Sequence, residues 1–237
     1  MSSVRLEGVS VRRKRTLAVA LALVVLAVLV LAPAALAKGG AGANIQLKLT
    51  DQIVPAGTQV TLQATARPAE VGTTVSLYKA QKAQDWEFVA TKTITNPSGK
   101  VTFTDAPMRH TYYRVKWTLA NGRALYSRVA WQKVKAVLTV GAVPAPYQMG
   151  EGTPVVISGT LVPSLNGGKV SIQVFRRVGD ALEMVAGFKA PLTAGAGDSS
   201  VYSTTWNAMS PGDYVVRAQV KRAAHFFGTS VTAEVTL

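Results

Sequence analysis

The chain has 237 residues, no cysteine, and 26 basic against 12 acidic side chains, for a formal net charge of +14. The lack of cysteine excludes disulfides, thiolate zinc sites, a cysteine nucleophile and a lipoprotein anchor, so the fold must hold by core burial alone. Two histidines in the whole chain leave little for imidazole-based metal or acid–base chemistry.

The N-terminus reads as a targeting segment. Arg5, Arg12, Arg13, Lys14 and Arg15 form a basic region, Leu17 to Leu31 carries no charge, and Pro33 precedes Ala35-Leu36-Ala37. A basic end that stays in the cytoplasm, an apolar stretch that partitions into the membrane and small residues for the peptidase make a signal peptide over residues 1–37, cut after Ala37. An uncleaved anchor competes, because Thr16–Ala37 approaches the ~20 residues that span a bilayer. Arg12-Arg13 lacks the flanks of a twin-arginine signal. Past residue 37 the chain keeps 21 basic and 11 acidic groups. They are divided unevenly: residues 38–136 hold 14 against 5, and residues 137–237 hold 7 against 6. A basic exported region attracts anionic wall polymers, acidic glycans or lipid headgroups.

Residues 38–44 form a flexible, glycine-rich leader. Alternation then dominates. Ile45, Leu47 and Leu49 mark a half-buried strand, and Val60, Leu62, Ala64 and Ala66 mark a second, entered at Gly57 and ended at Pro68. Val75 and Leu77 continue a third strand, and Trp86–Thr91 makes a fourth. Asn96-Pro97-Ser98-Gly99 forms a turn before Val101 and Phe103 in the fifth. In the sixth, Tyr113, Val115 and Trp117 alternate with Tyr112, Arg114 and Lys116. Asn121-Gly122 turns into a seventh, from Leu125 to Val134. Seven short alternating strands predict an antiparallel β-sandwich over 45–135.

The plan then recurs. Gly57–Pro68 (GTQVTLQATARP) returns 95 residues later as Gly152–Pro163 (GTPVVISGTLVP), and Val75-Ser76-Leu77 returns as Val170-Ser171-Ile172. A repeat of that length signals two copies of one domain. The second copy, 136–237, opens with Val137–Val140, followed by a long loop Gly141–Gly152. Strands are expected at Val155–Gly159, Val170–Val174, Glu183–Phe188 and Tyr202–Trp206, with a small-residue loop at Ala190–Ser199. Ser210-Pro211-Gly212-Asp213 turns the chain into Tyr214–Val220, and Val231–Leu237 closes the sheet. Almost nothing separates Val134 from Val137, which predicts a restricted angle between copies.

The pattern Gly57-x-x-Val60-x-Leu62, Pro68, Gly72, Val75-x-Leu77, Trp86-x-x-Val89-Ala90, Gly99, Phe103, Tyr113-Arg114-Val115-x-Trp117 and Ser127-x-Val129 resembles the bacterial immunoglobulin-like repeats of exported cell-surface proteins. The second copy is similar but weaker: Glu183-Met184-Val185 stands where Trp86–Val89 would, and its hairpin lacks Asn-Gly. The resemblance implies an all-β chain of two tandem Ig-like β-sandwiches. Such repeats serve as spacers, adhesion modules and wall- or glycan-binding modules. No functional residue carries over.

Chemistry is sparse. His110 and His225 lie 115 positions apart and are expected in exposed loops. Asp105, His110 and Ser127 lack a nucleophile elbow, and Asp85 and Glu87 are expected on a solvated edge rather than as a glycosidase pair. No cofactor motif appears. One constellation is a candidate for binding: with Tyr113, Val115 and Trp117 inward, Tyr112, Arg114 and Lys116 face out, with Arg128 beside them and Arg109 and Arg123 at the ends; the competing reading is a solvated sheet face whose basic residues block edge aggregation. Arginine forks bind carboxylate or phosphate bidentately. Trp117 and Trp206 are in the core phase of their strands, while Trp86 and Trp131 have no assigned phase; core placement is expected, with a carbohydrate platform of aromatics as the alternative.

The resulting expectation is a non-enzymatic protein, secreted or in the extracellular cell envelope, acting as a structural or adhesive module. The alternative is a binder of anionic wall polymer or glycan through the basic face of the first copy; a hydrolase is remote. Partners would be such a polymer or glycan, or another envelope protein. Nucleic acid is not expected, given the export signal, and a membrane only if the N-terminal segment stays uncleaved.

Overall fold

The structure is a computed structural model describing residues 42–82, 84–146 and 152–237. The signal segment and most of the leader lie outside the described residues. Among the described residues there are strands and turns and no helix.

The N-terminal half contains β1 (Asn44–Leu49), β2 (Ile53–Pro55), β3 (Val60–Arg67), β4 (Thr74–Ala80), β5 (Glu87–Thr93), β6 (Lys100–Asp105), β7 (Thr111–Thr118), β8 (Ala124–Tyr126) and β9 (Ala130–Lys135). β1, β3 and β6 form one sheet; β2, β9, β7, β4 and β5 form the other, with β8 beside β7. Side chains alternate across a strand, so one face of each sheet can be apolar. Val60, Leu62, Ala64 and Ala66 of β3 and Val101 and Phe103 of β6 meet Val75 and Leu77 of β4 and Tyr113, Val115 and Trp117 of β7 in one core. This is the arrangement of a β-sandwich.

The C-terminal half contains β10 (Val137–Leu138), β11 (Gly141–Pro144), β12 (Thr153–Val162), β13 (Lys169–Val178), β14 (Ala181–Pro191), β15 (Thr193–Ala194), β16 (Ser200–Ala208), β17 (Asp213–Val220) and β18 (Thr229–Thr236). One sheet runs β10-β12-β16-β15 with β11 on β12, and the other β14-β13-β17-β18. Val155, Ile157, Leu161, Val170, Ile172, Val174, Tyr202, Val216 and Ala218 contribute to a second core. The repeated stretch is thus β3 in one half and β12 in the other, each followed by a cis peptide before Pro68 or Pro163.

Three expectations about the strands change. The seventh strand is two pieces. Lys116 pairs with Tyr126 but Tyr113 with Ala130, so three steps along β7 face four on the opposing chain, which is a bulge. Ser127 fills it, its hydroxyl accepting from Val115 N at 3.1 Å and donating to Arg128 O at 2.8 Å. The loop expected from Gly141 instead begins as β11, in register with β10 across Thr139. There the Thr139 hydroxyl takes the Thr160 N–H at 2.8 Å, and the Thr139 carbonyl accepts from Tyr202 Oη at 2.7 Å. The first half of the expected loop Ala190–Ser199 is strand, the end of β14 and then β15, because Ala190 and Leu192 are buried as the chain crosses from one sheet to the other.

One residue, Ala136, joins the halves, and it is buried. Its N–H donates to Phe227 O at 3.0 Å, and Phe227 N donates to Val134 O at 2.8 Å. The short connection is therefore bonded to the far end of the chain.

Candidate functional site

The alternation of β7 sets the outer face. Tyr113, Val115 and Trp117 are fully buried, so Tyr112, Arg114 and Lys116 point away from the core. Burial, reinforced by a 2.7 Å hydrogen bond to Asp105, raises the Tyr113 phenol well above its ordinary value. Asp105 in turn pairs with Lys79 at 3.7 Å.

Arg114 sits in a ring cluster. Its guanidinium lies 4.1 Å from the Trp86 ring centroid, 5.1 Å from that of Tyr126 and 5.9 Å from that of Tyr78. Tyr78 meets Phe88 edge to face at 5.9 Å. Nearby, Tyr112 stacks on Trp131 at 6.0 Å, and the Lys133 ammonium lies 5.2 Å over Trp131. The core placement expected for the tryptophans is thus corrected at Trp86 and Trp131, the two whose phase the sequence left open. Trp117 is in the core and Trp206 packs half-buried against Tyr214, but Trp86 and Trp131 belong to the outer face. Tyr78, Phe88 and Tyr126 were absent from the sequence-derived site. A signal existed for Tyr78, which falls out of phase with buried Val75 and Leu77; the bulge between Leu77 and Tyr78 shifts the phase of the expected fourth strand, so alternation there did not mark Phe88 as its neighbour.

The other basic candidates disperse. Arg123 is exposed in the β7–β8 turn. Arg128 lines a groove of about 540 Å³ with Asn44–Lys48 of β1, away from the ring cluster. Arg109 is at the junction of the halves, paired with Asp198 at 2.8 Å and donating to Ser164 Oγ at 3.2 Å. Burial alone would raise the Asp198 carboxyl; hydrogen bonds from Ser164 and Arg109 outweigh it and hold the carboxyl below its ordinary value.

His110 is also at the junction, buried rather than in an exposed loop. Its N–H donates to His225 O at 2.7 Å, and its ring lies edge to face with Trp131 and Phe227. Nδ1 accepts from Val134 N at 2.9 Å, which assigns the ring proton to Nε2, a buried atom without a partner. His225 is half-buried rather than exposed. Asp105, His110 and Ser127 are each engaged elsewhere and form no triad. Asp85 and Glu87 are exposed. Among the described residues no three His, Asp or Glu side chains gather in one place.

The junction carries a pH prediction. Burial, then Arg222, His225 and Lys133, lower the His110 pKa below 6.5. The neutral ring is the folded form, because protonating Nδ1 would turn two N–H groups on each other. A lowered folded pKa means that stability is complete above pH 6.5 and falls as pH drops below it. The melting temperature is expected to decline between about pH 6.5 and 5.5, before most carboxylates titrate. A His110→Phe variant, less stable at neutral pH, should show a flatter decline over that range; an equal slope would contradict the assignment.

No protein-family model matches the chain, nor does any curated protein. Among solved structures, one similar to it is the crystal structure of a tetra-tandem repeat in the extending region of a large adhesion protein. Identity is 18%, the TM-score is 0.43, and the match covers 82% of this chain and 49% of that one. The chain therefore spans about half the length of that structure.

Proposed function

We propose that the chain is an exported, non-enzymatic protein of the cell envelope, with residues 45–135 and 136–237 as two tandem immunoglobulin-like domains serving as a structural and adhesive module. The observation that carries this is the junction. Two separate cores meet through one buried residue, and the bonds Phe227 to Val134, His110 to His225 and Arg109 to Asp198 cross between them. A flexible tether would let the halves reorient; a buried, hydrogen-bonded connection resists it. Such a unit transmits position from one end to the other, which suits a spacer or an adhesin segment.

The test is fractionation of cells expressing the full chain, with N-terminal sequencing of the product. We expect the protein in the envelope or medium, beginning at Lys38, and cleaved by protease added to intact cells if it is retained at the surface. An intact N-terminus on a chain confined to the cytoplasm would overturn the proposal.

A further inference from the structure

We propose that the outer face of the β5-β4-β7-β8 sheet is a binding strip for an acidic polysaccharide whose sugar rings carry carboxylates. The solvent face of an antiparallel sheet is ordinarily polar. Here Phe88, Tyr78, Arg114 and Tyr126 occupy outward positions on four neighbouring strands, with Trp86 against the arginine. Phe88 is 56% exposed and Tyr126 54%. Large rings left this open contribute little to the core, so their conjunction on one face calls for a ligand. The strip crosses three strand spacings, roughly 15 Å, which accommodates an oligosaccharide rather than a single ring.

The arginine gives the ligand its charge. Stacked rings hold the Arg114 guanidinium in one orientation, and its Nε is buried without a hydrogen-bond partner. The two terminal nitrogens keep donors for a carboxylate fork, and a fixed fork loses less entropy on binding than a free one. Lys116, next along the outward side of β7, adds a second cation beside Tyr126. Three alternatives fit less well. A neutral glycan offers flat C–H faces to the rings but only uncharged hydroxyl oxygens to the arginine, which makes weaker bonds than a carboxylate fork. A polyol phosphate offers charge but no flat ring. A single-stranded nucleic acid runs its phosphates beside its bases, calling for cations that flank the rings. On this strip the cation lies within the row of rings, as suits a chain that carries ring and charge on the same unit. The net +9 of residues 38–136 favours any polyanion and does not by itself select one.

The strip is independent of the scaffold reading, since it would bind whether or not the chain is exported. The test is calorimetric titration of the full chain with polygalacturonate, methyl-esterified polygalacturonate, inorganic polyphosphate and a single-stranded oligonucleotide at one salt concentration. Polygalacturonate should bind at least about tenfold more tightly than the other three. Phe88→Ala and Tyr126→Ala, at exposed positions, should each weaken binding by about tenfold, with melting temperature and circular dichroism unchanged. Arg114→Lys, which keeps the charge, should weaken it as well; if that variant fails to fold, the two ring variants carry the test. Absence of binding, equal or tighter binding of any of the other three ligands, or ring variants that bind as the parent does would each overturn the proposal.

Discussion

Replacing Trp117 with alanine is expected to destabilise the N-terminal half by about 3–5 kcal/mol, the range for emptying a buried aromatic site. The indole is fully buried between the two sheets, opposite Val75 on β4. Its Nε1 donates to Thr73 Oγ1 at 2.8 Å, and that hydroxyl donates to Glu70 O at 2.6 Å. Alanine leaves both a cavity and a buried hydroxyl that has lost its donor. Trp117→Phe separates the two effects: it retains most of the apolar volume and loses the hydrogen bond, for an expected cost of about 1–2 kcal/mol. Urea unfolding followed by circular dichroism measures both. A Trp117→Phe chain less stable than Trp117→Ala would contradict the core assignment.

The second large effect is expected at Gly99. It ends the Asn96–Gly99 turn with φ +66, and its carbonyl accepts from Ala66 N at 3.0 Å. A Cβ there would lie inside the van der Waals shell of the Ala66 carbonyl oxygen, on a strand whose side chain is buried and cannot withdraw. The backbone conformation and the collision together should cost about 2–5 kcal/mol for Gly99→Ala. Gly122 is the comparison. Its φ of +79 is similar, but nothing lies within 4 Å of the Cβ position. Gly122→Ala should therefore cost only the conformational part, about 1 kcal/mol. Equal losses at the two positions would show that the close approach at Gly99 is not a constraint.

Much of the architecture was legible because one buried face imposes a period of two. β3 and β7 show it without interruption, and their inward residues were assigned correctly. β2, β11 and β15 were missed because each is two to four residues long and is defined by a partner strand rather than by its own pattern. The outward placement of Tyr112, Arg114 and Lys116 followed from the same alternation. The fates of Arg109 and His110 did not: their partners Asp198 and His225 are 89 and 115 positions away, and nothing local announces such contacts. Trp86 lies outside its strand, where alternation gives no phase.

The pairing of β2 with β9 has a mechanical meaning. These strands lie near the entry and exit of the N-terminal half, and they run parallel, Ile53 against Lys133 through Pro55 against Lys135. Tension applied at the two ends of that half pulls the pair in opposite directions along their length, so its hydrogen bonds are loaded together in shear. Among the described residues, the opening strands of the C-terminal half form no such ladder with β18, whose hydrogen-bonded neighbour is the antiparallel β17. Under a stretching load the two copies of one plan would thus resist differently. Among the described residues, the first half has a shear clamp and the second has none.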